Sequence, residues 1–426
     1  MRSNSFSPAG SLCHSEAMTR TENLLAELIA LPSVNPAFAP QDGASARPVL
    51  RSNTAEGGQA RRLRFGEKEV ADFLASVAAR AGLEVEFQNV LPGRPNLIVR
   101  LLPPNKIRRT ILLAPHLDTV DADESQFVPQ VKNGRLYGRG ACDTKGSVAA
   151  MFIALCELAN AKSRSGETEI IFAGLIDEEQ AQAGSRALVG QASHLSPLSK
   201  KVRDRQDACP TLAIVGEPTR LRVVTAHKGS LWLQLETRGK AAHGATPQLG
   251  RNAVREMARI VCALETEYAA RLRKRNHPLL GMATVSVGTI CGGAQPNIVP
   301  DRCAISIDRR TLPGETESGV RREIAAWLRA KGLSAKISST KLAPALPLET
   351  NPALPLVRLF LRSVGQSRPA GVDFFCDAAV LAGAGIPSVV FGPGDIAQAH
   401  TTDEWISLAS LERGQNLLLN FLKSLP

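Results

Sequence analysis

Long apolar runs, aromatic rings and paired cysteines are what this 426-residue sequence has least of. No apolar stretch approaches the roughly 20 residues needed to span a bilayer, and the opening MRSNSFSPAGSLCHSEAM lacks the apolar centre of a signal peptide. The expectation is a cytoplasmic protein with no membrane partner, in which residues 1–18 form a disordered extension. The eight cysteines (13, 142, 156, 209, 262, 291, 303 and 376) include no CxxC pair and fall mostly in apolar segments. That argues against a disulfide framework and for buried free thiols in a reducing compartment. Aromatics make up only 4% of the chain, and although the formal net charge is +11, no helix interleaves basic and aromatic residues. Nucleic acid is therefore not an expected partner. A basic surface that draws in small anionic substrates is the better reading.

What is present is the grammar of an α/β protein. TRTENLLAELIALPSV and EKEVADFLASVAARAGL have helical spacing. The runs NLIVRLL, TILLAPH, EIIFAGLID, TLAIVGE and PSVVFG read as strands, alternating with helices at GSVAAMFIALCELANA and SLERGQNLLLNFLKSL. Continuous Val, Ile and Leu runs between helices predict a mostly parallel sheet covered on both faces. Between 223 and 341 the pattern becomes strand, long helix, two strands, helix, strand, the ferredoxin-like βαββαβ order. The expected division is a catalytic domain of residues 19–222 and 342–426, with an inserted domain at 223–341. Two long loops, at 36–65 and 191–210, are either lids or disorder.

Chemistry collects at the strand ends. ILLAPHLDTVDAD stops being apolar and presents His116, Asp118, Asp121, Asp123 and Glu124. EIIFAGLI ends in Asp177, Glu178 and Glu179, TLAIVG in Glu217, and SVVFGPGDIAQAH in His400, while Asp143 lies in the glycine-rich turn GRGACDTKG. Ligands of open α/β sheets bind beyond the carboxyl ends of the strands. Each acid alone reads more readily as a helix cap or a solvated turn residue than as a ligand. Converging on one edge, two His and three carboxylates suit a pair of borderline divalent ions such as zinc, with one carboxylate bridging them. Cys142 is a soft competitor better explained as a small core residue.

These pieces resemble the M20 metallopeptidases, in particular the acetylornithine deacetylase and succinyl-diaminopimelate desuccinylase group. PHLDTV, GRGACDTKGSVAAM, IDEEQAQAGS, VGEPT, GKAAHGATPQLGRNA, GGAQPNIVPDRC, DRRTLPGE and FGPGDIAQAHTTDEWI occur in family order across most of the chain. The resemblance implies that His116, Asp143 and Glu217 hold one zinc and Asp143, Glu179 and His400 the other, Co²⁺ or Mn²⁺ being possible substitutes. Asp118 would fix the His116 tautomer, and Glu178 would be the general base acting on metal-bound water. From the inserted domain, used for dimerisation, His243 and Asn297 would support the oxyanion across a homodimer. Gly244 stands where many relatives carry Ser.

Strand parity places Arg309 and Arg310 on opposite faces. The family pattern favours Arg310 as the clamp for a substrate carboxylate and leaves Arg309 solvated. His227 is expected to be structural, and Asp377 to line the pocket or cap a helix. The resulting expectation is a dizinc amidohydrolase acting on an N-acyl amino acid. Its rivals are a carboxypeptidase or dipeptidase on the same scaffold, acting on short peptides, and a noncatalytic metal-binding interaction protein.

Overall fold

Four apolar runs pair side by side and in parallel to make the centre of the molecule: Thr168–Gly174, Arg109–Pro115, Leu212–Gly216 and Ser388–Val390. The computed structural model describes residues 18–38, 66–161, 166–190, 210–341 and 345–425. The expected extension at 1–18 and the loops at 36–65 and 191–210 lie almost wholly outside these residues. Among the described residues the sheet has nine strands. The hairpin Glu84–Leu91 and Arg94–Leu101 extends one edge by antiparallel pairing to Thr168–Gly174. At the other edge Val224–His227 pairs antiparallel with Ser388–Val390 and Leu348–Glu349, and parallel with Ala370–Val372.

The helix Lys145–Ala159 crosses one face of this sheet and is buried at every position except Glu157 and Ala159. A helix apolar all round needs cover on all sides. It receives that cover from the sheet and from helices Arg20–Ile29 and Leu408–Lys423. Thr19 starts the first of these with a capping box to Glu22. Phe152 meets Phe172 of the sheet edge-on at 5.2 Å, an aromatic contact that adds to the roughly 1.5–3 kcal/mol from burying a large apolar side chain.

A second, antiparallel sheet has the order Thr284–Gly292, Arg302–Thr311, Gly229–Arg238, Lys336–Ser339. Helices Ala253–Ala263 and Glu317–Ala330 cover one of its faces and share its separate apolar core. The long helix expected after residue 250 is interrupted by a π-helical turn, Leu264–Tyr268, before it resumes at Ala269–Leu272.

Arg309 is not solvated as expected. It follows Cys303, Ile305 and Ile307 on the helix-covered face, is fully buried, and its Nη2 lies 2.7 Å from Glu315. An apolar stripe on alternate positions determined which arginine went inward, and Glu315 supplies the countercharge without which burial would be prohibitive. The cysteines are also less uniformly buried than expected: 142, 156, 303 and 376 are, whereas Cys262 and Cys291 are exposed.

Candidate metal centre

The four parallel strands end level with one another. Pro115 pairs with Gly216, His116 bridges to Leu175, and Phe391 donates its N–H to Val215. The residues that follow, His116, Glu178, Glu179 and Glu217, therefore emerge at one edge. Asp143 arrives from the turn before helix Lys145–Ala159, where the Thr144 hydroxyl donates to the Gly216 carbonyl at 2.8 Å and so ties that turn to the strand carrying Glu217. In the same turn Gly140 has φ +82°, and a Cβ there would lie 2.9 Å from the Lys145 side chain. His400 comes from the loop after Ser388–Val390 with φ +62°.

Two groups of ligand-type side chains result, sharing Asp143: His116, Asp143 and Glu217, and Asp143, Glu179 and His400, with donor atoms in each group within 4.8 Å of one another. His116 Nε2 is 3.1 Å from Asp143 Oδ1 and 3.9 Å from Glu217 Oε1. His400 Nε2 is 3.3 Å from Asp143 Oδ2 and 3.2 Å from Glu179 Oε1. Asp143 thus turns one oxygen to each group.

His116 Nδ1 faces acceptors only, the Asp118 backbone oxygen at 3.0 Å and the carboxylate Oδ1 at 3.4 Å. That keeps a proton on Nδ1 and directs Nε2 at Asp143 and Glu217. The Asp118 carboxylate also accepts from the backbone N–H groups of Glu178 and Glu179, both at 3.1 Å, and from Asn35 at 2.8 Å. One buried carboxylate therefore holds two strand ends together.

The charge balance of the site tests whether it suits cations. Burial, then Glu217, pushes the Glu178 carboxyl well above its usual range; burial does the same to Glu217, and Glu179 is raised for that reason and by Asp143. His400 is raised to about 10 by hydrogen bonds to Asp143 and Glu179. Burial opposes ionisation of Asp143, but His116 and His400 outweigh it and hold it low. Such a cluster, with more carboxylates than its two imidazoles can balance, fits a pair of divalent cations that would replace the imidazole protons at Nε2.

Other residues singled out in the sequence lie elsewhere. Asp121 and Asp123 serve local turns, and neither they nor Glu124 belong to the two groups. Cys142 donates to the Asp395 carbonyl at 3.2 Å, and burial pushes its thiol up. Asp377 precedes a helix but does not cap it. It is buried, accepts from the Ser185 hydroxyl at 2.6 Å, and is raised to about 6 by burial. His227 is fully buried, with Nδ1 2.9 Å from the Lys228 carbonyl. His243 is exposed on the second domain beside Asn297, and the Gly244 N–H donates to the Asn297 carbonyl at 2.7 Å. A Cβ at Gly244 would lie 3.0 Å from that carbonyl, so glycine permits the close approach of the two loops. Arg310 lies on the open face of the second sheet, with Nε 3.0 Å from Asp308.

Sequence reasoning missed Glu404. It is buried, and its carboxylate accepts from the N–H groups of Gly140 (3.0 Å), Cys142 (2.8 Å) and Asp143 (2.9 Å) and from Arg139 Nη1 (2.8 Å). The adjoining strand Trp405–Ser407 joins Arg135–Tyr137 in a small sheet that brings it there. The only hint was an acid within HTTDEWI.

A parallel sheet with paired carboxylate–imidazole groups at its strand ends, joined to a smaller α+β domain, is the architecture of a metal-dependent hydrolase. The profile of peptidase family M20/M25/M40 matches residues 112–424, and the chain belongs to that family. It is 30% identical over 367 residues to an acetylornithine deacetylase of Myxococcus xanthus, covering 82% of this chain and 89% of that protein. Identity to one from Aliivibrio fischeri is 30% over 358 residues, again covering 82% and 89%. Among solved structures, the M20 family metallo-carboxypeptidase Sso-CP2 from Sulfolobus solfataricus shares the fold at a TM-score of 0.69 and 18% identity, covering 95% of this chain and 99% of that one. Aminopeptidase PepT from Bacillus cereus does so at 0.67 and 21%, covering 95% and 97%.

Proposed function

We propose that this metal-dependent amidohydrolase is a cytoplasmic dizinc enzyme that removes the acyl group from an N-acyl amino acid. The observation that carries the reading is the shared carboxylate: Asp143 belongs to both ligand groups, and Glu178 is adjacent in the chain to the ligand Glu179. His116, Asp143 and Glu217 would hold one ion, and Asp143, Glu179 and His400 the other. Two such ions supply Lewis acidity to the amide carbonyl and make water more acidic.

Glu178 accepts the proton of the attacking water and returns it to the departing amine. Asp118 holds the His116 ring in one tautomer. Arg310, whose Nε is engaged by Asp308, turns its Nη groups to the substrate α-carboxylate. Residues 19–222 and 342–426 form the catalytic domain, and residues 223–341 the domain through which two copies pair. That pairing brings His243 and Asn297 of one copy to the oxyanion formed in the other. The acetylornithine deacetylases among its relatives support an acyl amino acid over a peptide.

The test is hydrolysis of N-acetyl amino acids against dipeptides by zinc-loaded protein, alongside the variant Glu178→Ala. Deacylation is expected to exceed dipeptide cleavage. The variant should retain its zinc while turnover falls by about two orders of magnitude or more. Preferred dipeptide cleavage would make the protein a peptidase, and an active Glu178→Ala enzyme would remove Glu178 from the proton path.

A further inference from the structure

Asn35 is fully buried and stands between two carboxylates, its Nδ2 2.8 Å from Asp118 Oδ2 and 2.9 Å from Asp177 Oδ1. Its amide can point only one way. The side-chain oxygen accepts the N–H of Ala37 at 3.1 Å, and a flipped amide would turn that oxygen against both carboxylates. The backbone is tied as well: the Asn35 N–H donates to the Thr119 carbonyl at 2.9 Å, and the neighbouring Val34 carbonyl accepts from the Gly66 N–H at 2.9 Å. Beyond Asp177 the contacts continue through Arg94, whose Nη2 lies 3.2 Å from Asp177 Oδ1 and whose Nε donates to Glu67 Oε2 at 2.8 Å. Glu67 returns to the same turn, accepting the Asp177 N–H through Oε1 at 3.2 Å.

All of these contacts meet at the turn Asp177, Glu178, Glu179. Asp177 has φ +67° there, a left-handed conformation that costs a residue with a side chain and persists only where its surroundings fix it. Asp118 takes the N–H groups of Glu178 and Glu179, one on each carboxylate oxygen, and Asn35 joins that carboxylate to the side chain at the head of the turn. We propose that Asn35 is a positioning residue: by bridging Asp118 and Asp177 it clamps the turn that presents Glu178 and Glu179 to the metal centre. This rests on the base and ligand roles given above to those two glutamates. An amide suits the bridge because it offers one hydrogen to each carboxylate and adds no charge of its own, whereas an aspartate there would bring a third anion.

Chelator competition for zinc by the full-length protein reads the clamp with no substrate present, and steady-state kinetics on the N-acetyl amino acid cleaved fastest reads it in turnover. Asn35→Ala should lower zinc affinity and kcat by about tenfold each, with KM within about twofold of wild type, because no group that grips the substrate has moved. Asn35→Ser keeps one donor and should lose less, and it carries the same test if the alanine protein does not fold. In an Asp118→Ala background the bridge has lost one end, so adding Asn35→Ala should change zinc affinity by less than about twofold. Wild-type zinc affinity in the folded variants, even with lowered stability in urea, overturns the proposal, as do losses from Asn35 and Asp118 that simply multiply. A wild-type protein that binds zinc but hydrolyses no N-acyl amino acid would sink the deacylase reading, while an Asn35-dependent zinc affinity in that same protein would sustain the clamp.

Discussion

Replacing Glu404 by Gln should loosen the metal centre without touching a ligand. Oε1 of Glu404 accepts from two backbone N–H groups, and Oε2 from a third and from Arg139. A glutamine offers one oxygen, so in either orientation its NH₂ faces two donors and two hydrogen bonds are lost. Arg139, 4% exposed, would also lose its only ion-pair partner among the described residues. Breaking a buried pair costs about 3–5 kcal/mol, and orphaned donors about 1–3 kcal/mol each. These terms overlap, so a total near 4 kcal/mol is expected. Because the loop also positions Asp143, zinc affinity should fall by about 10–100-fold, as when the partner that orients a ligand is removed. Urea unfolding of metal-free protein reads the first effect, and chelator competition for zinc reads the second. Wild-type zinc affinity in a folded Glu404→Gln protein would refute the idea that Glu404 positions Asp143.

Arg309→Met leaves Glu315 its second partner, Arg275 at 2.7 Å, so a stability loss of about 2–3 kcal/mol is expected rather than the full cost of an unpaired charge. Arg310→Met should cost little stability and instead raise KM, and equal stability losses in denaturant titrations would contradict the assigned faces. Burial holds the His227 pKa at about 4 against an ordinary 6.5. The unfolded chain therefore takes up a proton first as pH falls. The stability contribution is whole above about pH 6.5 and declines by about 3 kcal/mol as pH drops towards 4. Relative to wild type, His227→Phe should flatten the stability profile across that window, and parallel profiles would show that burial does not depress this group. Removing metal with a chelator should abolish activity and lower the melting temperature, and zinc should restore both. A melting temperature indifferent to zinc would argue against binding at these buried acids.

The parallel core and the edge that carries chemistry were legible because both follow from local pattern. Apolar runs of strand length between amphipathic helices imply a covered parallel sheet, and the rule that ligands sit beyond carboxyl ends then singles out His116, Glu179, Glu217 and His400. The faces of Arg309 and Arg310 were legible only in part: parity separated them, and the Cys303, Ile305 and Ile307 stripe that marks Arg309 as the inward one lay in the sequence unused. Glu404 was not legible. That acid is defined by N–H groups more than 260 positions earlier.

The order of residues alone determined which segments bury apolar surface and where ligand-type side chains leave the core, because period and strand length are properties of short stretches. Tertiary structure decided which oxygen of Asp143 faces which imidazole and which arginine loses its water. Those depend on distances between residues far apart along the chain, and burial and charge act through distance.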